Sequence, residues 1–398
     1  MAPRLPGRLS WAVVAVLLLA VCLRAPVTSV GPLLERVGED TALGPTALGL
    51  LGSLPVIGFG VGSALVHRPA MRFGLERVIA FALVALAGAV VLRSVPVVGA
   101  LWVGTAVIGI ASAAGNVLAP AVIKRDHPGR IALLTACFTA VMTTTAATAS
   151  GFAVPVSDAW GGGWRLPLGA VAAVVLPVAL LWVVRAVRTP RSVEADAPAL
   201  AATDAPRSVT MWRSPSAWVV SAFMGLQSAS FFTLATWLPT VETSLGVDPR
   251  AAGWHLFVLQ LVGMLAGLLA ATLMRGRTDL RPLGVLISLC IVVAMGGLLL
   301  APQAAVAWVG LAAVGTGSSL VLALSLFGLR TAHSRHTAQL SSMAQTIGYA
   351  IAACGPLLAG WVGGTFSWSL VLVVVGVFGV AQLVVVLGAA RPGLILGR

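Results

Sequence analysis

Long apolar stretches alternate with short polar segments along the whole chain. Twelve such stretches can be placed, most of them close to the ~20 residues that a helix needs to cross a ~30 Å hydrocarbon core. Each stretch therefore predicts a membrane-spanning α-helix. The predicted spans are residues 11–34, 45–66, 77–94, 98–122, 130–156, 164–186, 214–240, 250–274, 281–300, 304–329, 339–362 and 367–390.

The first stretch resembles a signal peptide over residues 11–23. However, the apolar run continues past Arg24, and residues 25–30 lack a convincing small-x-small cleavage site. We therefore interpret this stretch as the first retained span.

The composition favours a polytopic membrane protein. Of the 398 residues, 59% are hydrophobic and 9% are charged, and the mean hydropathy is +1.01. No soluble domain could bury so much apolar surface. The four cysteines lie in different apolar runs without metal-ligand spacing, so we expect packing residues, with no metal, no cofactor and no disulfide framework.

The net charge of +13 indicates membrane topology rather than nucleic-acid binding. With a cytoplasmic N-terminus, most of the 25 lysines and arginines fall in cytoplasmic segments, and Arg36, Arg93, Arg165 and Arg250 fall on the outer side. Positive charge is enriched on the cytoplasmic side of membrane proteins. We therefore predict a protein of the cytoplasmic (inner) membrane with both termini in the cytoplasm.

One long polar interruption, residues 187–213, separates six spans from six. It is rich in Arg, Pro, Ala and acidic residues and predicts a flexible cytoplasmic linker between bundles 1–186 and 214–398. The halves also repeat, because residues 102–130 align without gaps with residues 308–336. The predicted fold is all-α, with twelve transmembrane helices in two pseudo-symmetric halves, which resembles the major facilitator architecture.

Three motifs carry a closer resemblance: CLRAPVTSVGPLL (22–34), FMGLQSASFFTLATWLP (223–239) and LRTAHSRHTAQLSSMAQTIGYAIAACGPLLAG (329–360). They resemble the cyanate/2-nitroimidazole transporter family of the major facilitator superfamily, and together with the spacing of the spans the resemblance covers essentially the whole chain outside the linker. It implies alternating access and transport of a small solute such as cyanate or a nitroimidazole-like compound. Phe232 departs from the pattern, since the resemblance leads us to expect a tyrosine there.

The loop after the second span, GSALVHRPAMRFGLER (62–77), is the expected gating segment. It contains Arg68, Arg72 and Arg77 but lacks the aspartate of the general superfamily motif. This departure weakens the expectation of a charge-relay gate.

Arg24 is the leading candidate for a substrate contact. A charge within a span costs a few kcal/mol and normally faces a cavity or a partner, yet all twelve acidic residues lie in loops or at span ends. One interpretation is that Arg24 snorkels or bonds carbonyls freed by Pro26, Gly31 and Pro32. The other is that a substrate anion or nitro group supplies the partner, because the guanidinium fork matches planar oxyanions. Thr28, one turn on, shares the face of Arg24.

Several other side chains within the spans are candidate substrate contacts, with packing or helix–helix hydrogen bonding as the alternative for each. Amides and rings recur four residues apart, which places each such pair on one helix face. His255, near the outer end of the eighth span, is the histidine with a plausible route to the cavity. The remaining candidates are Asn116, Gln227, Phe231, Gln345 and Tyr349.

The favoured function is a secondary active or facilitative transporter of a small anionic or polar solute, and by analogy a monomer. The partner is thus the solute, with a co-transported proton or an exchanged anion as options. Broad-range drug efflux is the alternative, although Arg24 disfavours cationic drugs. No catalytic dyad, metal cluster or phosphate loop stands at convincing spacing, which disfavours an enzyme. The linker and tails are too short for the signalling domain of a sensor. The glycines of GIASAAG (109–115) lie in an apolar helix, where close packing explains them best.

Overall fold

The computed structural model describes residues 11–97, 99–127, 130–161, 163–188, 209–331 and 334–395. Within these residues, twelve helices are long and apolar enough to cross a membrane, which confirms the predicted all-α, twelve-span fold. Residues 189–208 of the predicted linker lie outside the described residues, and the division at 186 and 214 stays a prediction. The twelve helices are α1 Trp11–Thr28, α2 Pro45–Leu65, α3 Leu75–Ser94, α4 Ala100–Asp126, α5 Ile131–Ala159, α6 Ala172–Arg188, α7 Pro215–Ser244, α8 Pro249–Leu273, α9 Arg281–Leu300, α10 Ala305–Leu329, α11 Ser334–Thr365 and α12 Ser369–Ala389.

The first predicted span is broken near its end. α1 stops at Thr28, a 3-10 turn follows at Gly31–Leu33, and a short helix resumes over Leu34–Thr41. The helical hydrogen bonds stop at Thr28 because Pro32 has no backbone N–H to donate to the Thr28 carbonyl, and Pro26 within α1 lacks its own N–H one turn earlier in the helix.

Several other helices are longer than the apolar stretches that predict them. α7 continues to Ser244 and α11 begins at Ser334, several residues beyond the predicted spans. Apolarity reports the hydrocarbon core, whereas a helix can extend through the ~40–45 Å that includes the headgroup regions.

Each half contains a glycine crossing between its second and fourth helices. Where α2 crosses α4, a Cβ added to Gly109 would lie 2.6 Å from the Pro55 carbonyl oxygen and 3.0 Å from Gly58 Cα. In the second half, Gly263 of α8 faces Gly317 of α10 in the same way. Small residues let helix backbones approach closely in membranes. The glycine at the start of the 109–115 pattern therefore serves packing, as predicted.

The two halves join at one end of the bundle, which we name the closed end. There Gly31 lies against the Ala235 carbonyl, and a Cβ on Gly49 would lie 2.6 Å from the Pro356 carbonyl oxygen. One apolar cluster at this end contains residues of both halves. Toward the opposite end the apolar core forms separate clusters, one within residues 15–186 and the other within residues 211–395. The described residues thus bring the halves together at one end and part them at the other.

We expect Gly109→Ala to destabilise the protein by about 1–3 kcal/mol, the usual cost of overpacking. The reason is that the atoms nearest the added methyl are backbone atoms of α2, which cannot rotate away. The measurement is the melting temperature of the purified protein in detergent. Gly310→Ala in α10 is the control, because a Cβ there meets nothing within 4 Å. Equal melting temperatures for the two variants would contradict the crossing.

Candidate substrate site

The break after α1 leaves backbone carbonyls that the helix itself does not pair. Pro32 has no N–H for the Thr28 carbonyl, and Ser150 Oγ of α5 donates to that carbonyl at 3.0 Å. Arg93 Nη1 of α3 donates to the Pro26 carbonyl at 2.5 Å. Hydrocarbon contains no water to satisfy such groups, so protein donors must do it. Two neighbouring helices thus hold the broken segment.

Arg93 is a buried arginine that the sequence pattern did not reveal. The charge pattern places it among the outer charges, but its side chain is 0% exposed, and Nε and Nη2 have no partner among the described residues. Gly104 of α4 makes room for it, because a Cβ there would lie 2.6 Å from Arg93 Cβ. Position at the end of a span does not show where a long side chain points. One interpretation of the sequence is that Arg24 donates to the carbonyls freed near the prolines. In the structure Arg93 and Ser150 donate to the carbonyls of Pro26 and Thr28 instead.

Arg24 lies in α1 one turn before the break. Its Nε is buried without a hydrogen-bond partner, and it forms no ion pair with any carboxylate that the structure describes. The guanidinium carbon lies 5.8 Å from the centre of the Phe231 ring, which belongs to α7 in the other half. A cation over an aromatic face is stabilised by only about 0.5–2 kcal/mol. The donor fork of Arg24 thus remains available to a ligand.

A narrow cavity lies beside Arg24, with about 20 Å³ of space for water-sized molecules. Thr28, Thr105 and Thr236 line it together with apolar groups of α1, α2 and α7. Such a mainly apolar space with few polar groups is typical of a small-molecule site.

One side of this cavity is aromatic. The centres of the Phe231 and Phe232 rings are 5.3 Å apart, and Phe232 lies 6.3 Å from Phe59. The Tyr349 ring of α11 lies 6.1 Å from Phe59. Phe232, where the resemblance leads us to expect a tyrosine, packs as a hydrocarbon ring in this group. The arrangement suits a flat solute with a polar head.

Of the seven predicted substrate contacts, three line the cavity and the other four do not. Arg24, Thr28 and Phe231 are lining residues. The Thr28 hydroxyl donates within the protein, to the Arg24 carbonyl at 3.2 Å and the Ala146 carbonyl at 3.0 Å. Tyr349 joins the aromatic group without lining the cavity. The substrate roles of all seven stay predictions.

The amides lie in different settings. Gln227 is buried, and its Nε2 donates to Ser228 Oγ at 2.6 Å and to the Met224 carbonyl at 3.2 Å, all on α7. Gln345 Nε2 donates to Ser341 Oγ at 2.9 Å on α11. Asn116 is half-buried in α4, one turn from Ala113 of the cluster that packs on Tyr349. The hydrogen bonds of Gln227 within its own helix favour packing for this residue.

The loop after α2 places its arginines at the end opposite the closed end. Arg68, Arg72 and Arg77 are exposed, and Arg72 lies 5.2 Å from the Phe73 ring. Their gating role stays a prediction.

A charge network that the sequence pattern missed lies beside this loop. Glu76, at the start of α3, accepts from Arg125 of α4, and Arg185 of α6 donates to Asp126 at 2.6 Å. All four residues belong to the first half, so the network ties α3, α4 and α6 together. The loop lacks the expected aspartate, but a carboxylate is present at its end in Glu76.

Polar contacts also cross between the halves at the closed end. Asp158 of α5 pairs with Arg36 at 2.7 Å and, across the halves, with Arg250 of α8 at 3.0 Å. Thr243 of α7 donates to Glu35 at 3.0 Å, a second contact between the halves. These contacts join the two halves at the closed end.

Twelve helices in two related halves, joined at one end and parted at the other, define a membrane transporter. A sequence model described as Major Facilitator Superfamily matches residues 16–353, and the chain belongs to this superfamily. It is 33% identical over 380 residues to the 2-nitroimidazole transporter of Escherichia coli (strain K12), covering 95% of each chain. It is 26% identical over 354 residues to the cyanate transport protein CynX of the same strain, covering 86% of this chain and 87% of CynX.

Solved structures agree on the fold. The crystal structure of a D-xylose-proton symporter matches with a TM-score of 0.74 at 16% identity, covering 96% of this chain and 97% of the symporter. The superfamily match and the transporter relatives show that the protein is a multi-pass membrane transporter of small solutes and not an enzyme.

We expect Asp158→Asn to shift the protein toward opening at the closed end. Exposed ion pairs contribute ~0.2–1 kcal/mol, so the open-to-closed ratio should rise by up to about fivefold. Spin labels on cysteines placed at Glu39 and Ser367, with the four native cysteines replaced, report the distance across this end.

The control is Asp279→Asn, because Asp279 pairs with Arg281 two residues away in the same half. A distance distribution that responds equally to both changes would show that the pair between the halves is not what holds this end.

Proposed function

We propose that this protein carries a small planar solute with an anionic or nitro-bearing head, cyanate-like or nitroimidazole-like, by alternating access. Arg24 anchors the head, and the aromatic side chains beside it select the size and shape of the body. The observation that carries this proposal is the half-buried Arg24, whose buried Nε has no hydrogen-bond partner among the described residues and which lines a cavity between the halves. An unpaired charge there is costly, and a bound oxyanion removes that cost.

The aromatic group supports a flat solute. The Phe231 ring lies near Arg24 and Phe232 also lines the cavity, whereas Phe59 and Tyr349 extend the aromatic group without lining it. A heteroaromatic ring can stack there while its nitro oxygens accept from the guanidinium. A linear anion such as cyanate uses the guanidinium but little of the aromatic surface. The similarity to the 2-nitroimidazole transporter and to CynX supports the same solute classes.

The orientation follows from charge. With both termini in the cytoplasm, as the distribution of Lys and Arg predicts, the closed end faces outward and the parted end faces the cytoplasm. The structure then corresponds to an inward-open state, from which rocking of the halves would reopen the outer end. The proposed location is the cytoplasmic membrane.

The proposal is tested first by ligand-induced stabilisation. Purified protein is heated with cyanate, 2-nitroimidazole or benzoate, and a ligand that binds the folded state raises the melting temperature. Hits are then assayed for uptake into proteoliposomes with and without a pH gradient. Failure of every member of the panel to bind or be transported would overturn the proposed solute class.

Arg24→Gln should weaken binding of such a hit by at least about tenfold, because a hydrogen bond to a charged group is worth ~1.5–3 kcal/mol. Arg24→Lys should lie between the wild type and Arg24→Gln, since it keeps the charge and loses the fork. The measurement is the dissociation constant by titration calorimetry. Arg277→Gln, at an exposed position, is the control. Wild-type affinity and transport in Arg24→Gln would refute the anchor.

Phe231→Leu should distinguish the two solute classes. Loss of the ring removes an aromatic contact worth ~0.5–1.5 kcal/mol, so 2-nitroimidazole affinity should fall about two- to tenfold. Cyanate affinity should change less, because cyanate has no ring to stack. Phe152→Leu, at a half-exposed ring on α5, serves as control. An equal loss for both solutes would argue against stacking.

A further inference from the structure

A buried carboxylate and a histidine face each other near the closed end. Glu242 of α7 is 0% exposed, and its Oε1 shares a hydrogen bond of 2.8 Å with Nδ1 of His255 on α8. The His255 side chain is 13% exposed. Glu242 Oε2 is buried and has no partner among the described residues. The sequence pattern assigns Glu242 to a span end, yet here it lies inside the protein.

No other ionisable group of the elements packed on α7 pairs with Glu242 among the described residues. α2, α10, α12 and the short helix Val209–Trp212 contain no ionisable side chain. The ionisable residues of α11 are at positions 335, 336, 349 and 354, all before Pro356. Trp237 of α7 donates to the Pro356 carbonyl, and Glu242 lies beyond Trp237 along α7. The ionisable residues of α11 and Glu242 are therefore on opposite sides of this contact. The remaining neighbours are Arg250 on α8 and Glu35, Arg36, Glu39 and Asp40 on Leu34–Thr41.

Burial restricts the charge that the pair can hold. With one shared proton it is neutral overall, either as carboxylate and imidazolium or as carboxylic acid and imidazole. With no proton its charge is −1, and with two protons it is +1. A net charge buried without a partner is far more costly than a neutral pair. The closed end therefore favours one bound proton.

The pair also lies near two of the polar contacts that join the halves at the closed end. Glu242 is followed by Thr243, which donates to Glu35 of the first half at 3.0 Å. His255 is on the helix that begins at Pro249 and whose Arg250 pairs with Asp158 of the first half at 3.0 Å. Opening this end would break both contacts and give water access to α7 and α8.

We propose that the Glu242–His255 pair is a proton-binding site, loaded with one proton when the outer end is closed, so that closure of this end is linked to proton uptake. This inference rests on the proposed function for its orientation, and it names the proton as the co-transported ion among the coupling options. In the open state water hydrates the pair and stabilises the free carboxylate, so the pair can release its proton. The closed state then binds one proton more than the open state, so raising the pH opens the end by up to about tenfold in population per pH unit.

The first experiment measures the distance across the outer end without any solute. Spin labels at Glu39 and Ser367 are read between about pH 5 and 8.5, the range in which imidazole titrates. The wild type should open as the pH rises. In Glu242→Gln the pH dependence of opening should reverse its sign. A lone His255 must be neutral when buried in the closed state, so low pH favours the open state, in which water hydrates the imidazolium. In His255→Asn the opening should move about two pH units lower, toward the range of a lone carboxyl.

Asp248→Asn is the matched control, because it removes an exposed carboxylate between α7 and α8 while keeping a residue that caps α8. It should respond to pH like the wild type. A wild type with no pH response, or a response that Glu242→Gln leaves unchanged, would overturn the proposal. Neither outcome depends on the solute, so this test is separate from that of the proposed function.

The second experiment uses a solute identified by the binding screen. In proteoliposomes, Glu242→Gln should lose accumulation driven by a pH gradient and keep exchange of labelled for unlabelled solute. Gradient-driven accumulation equal to that of the wild type would refute proton coupling at this pair.

Discussion

The structure of the site depends on one constraint, the pairing of backbone carbonyls where α1 breaks. In a membrane these groups have no water to bond, so the break can exist only where other helices donate to it. Arg93 of α3 and Ser150 of α5 do so at the carbonyls of Pro26 and Thr28. Gln260 of α8 in turn donates to Ser150 at 3.0 Å. The bend that presents Arg24 is thus attached to both halves.

Charges buried in this protein differ in what compensates them. Arg93 bonds a carbonyl, and the Glu76 network pairs opposite charges within one half. Glu242 and His255 share a hydrogen bond at the closed end. Arg24 has the Phe231 ring and no described hydrogen-bond partner, which separates it from the other three cases. This difference in partners is the structural basis of the role proposed for Arg24.

Much of the fold could be predicted from the sequence, because hydrophobic length and the positions of Lys and Arg are set by the bilayer itself. The break at Pro26 and Pro32 was also readable, since proline lacks the N–H. The sequence pattern could not place Arg93 or Glu242, because both stand at span ends, where an inward and an outward side chain look alike. It could not separate Gln227 from Phe231 either: both lie on α7, but one bonds its own helix and the other lines the cavity.

The glycine crossings have a consequence for how this protein can change its solute. Gly58 with Gly109, and Gly263 with Gly317, fix helix pairs through backbone contacts that no larger side chain can replace. Cavity residues such as Val27 and Phe231 lie outside these crossings. Variation in solute preference among proteins of this architecture, in nature or by directed evolution, should therefore concentrate on the cavity faces of α1 and α7 while the crossings stay fixed.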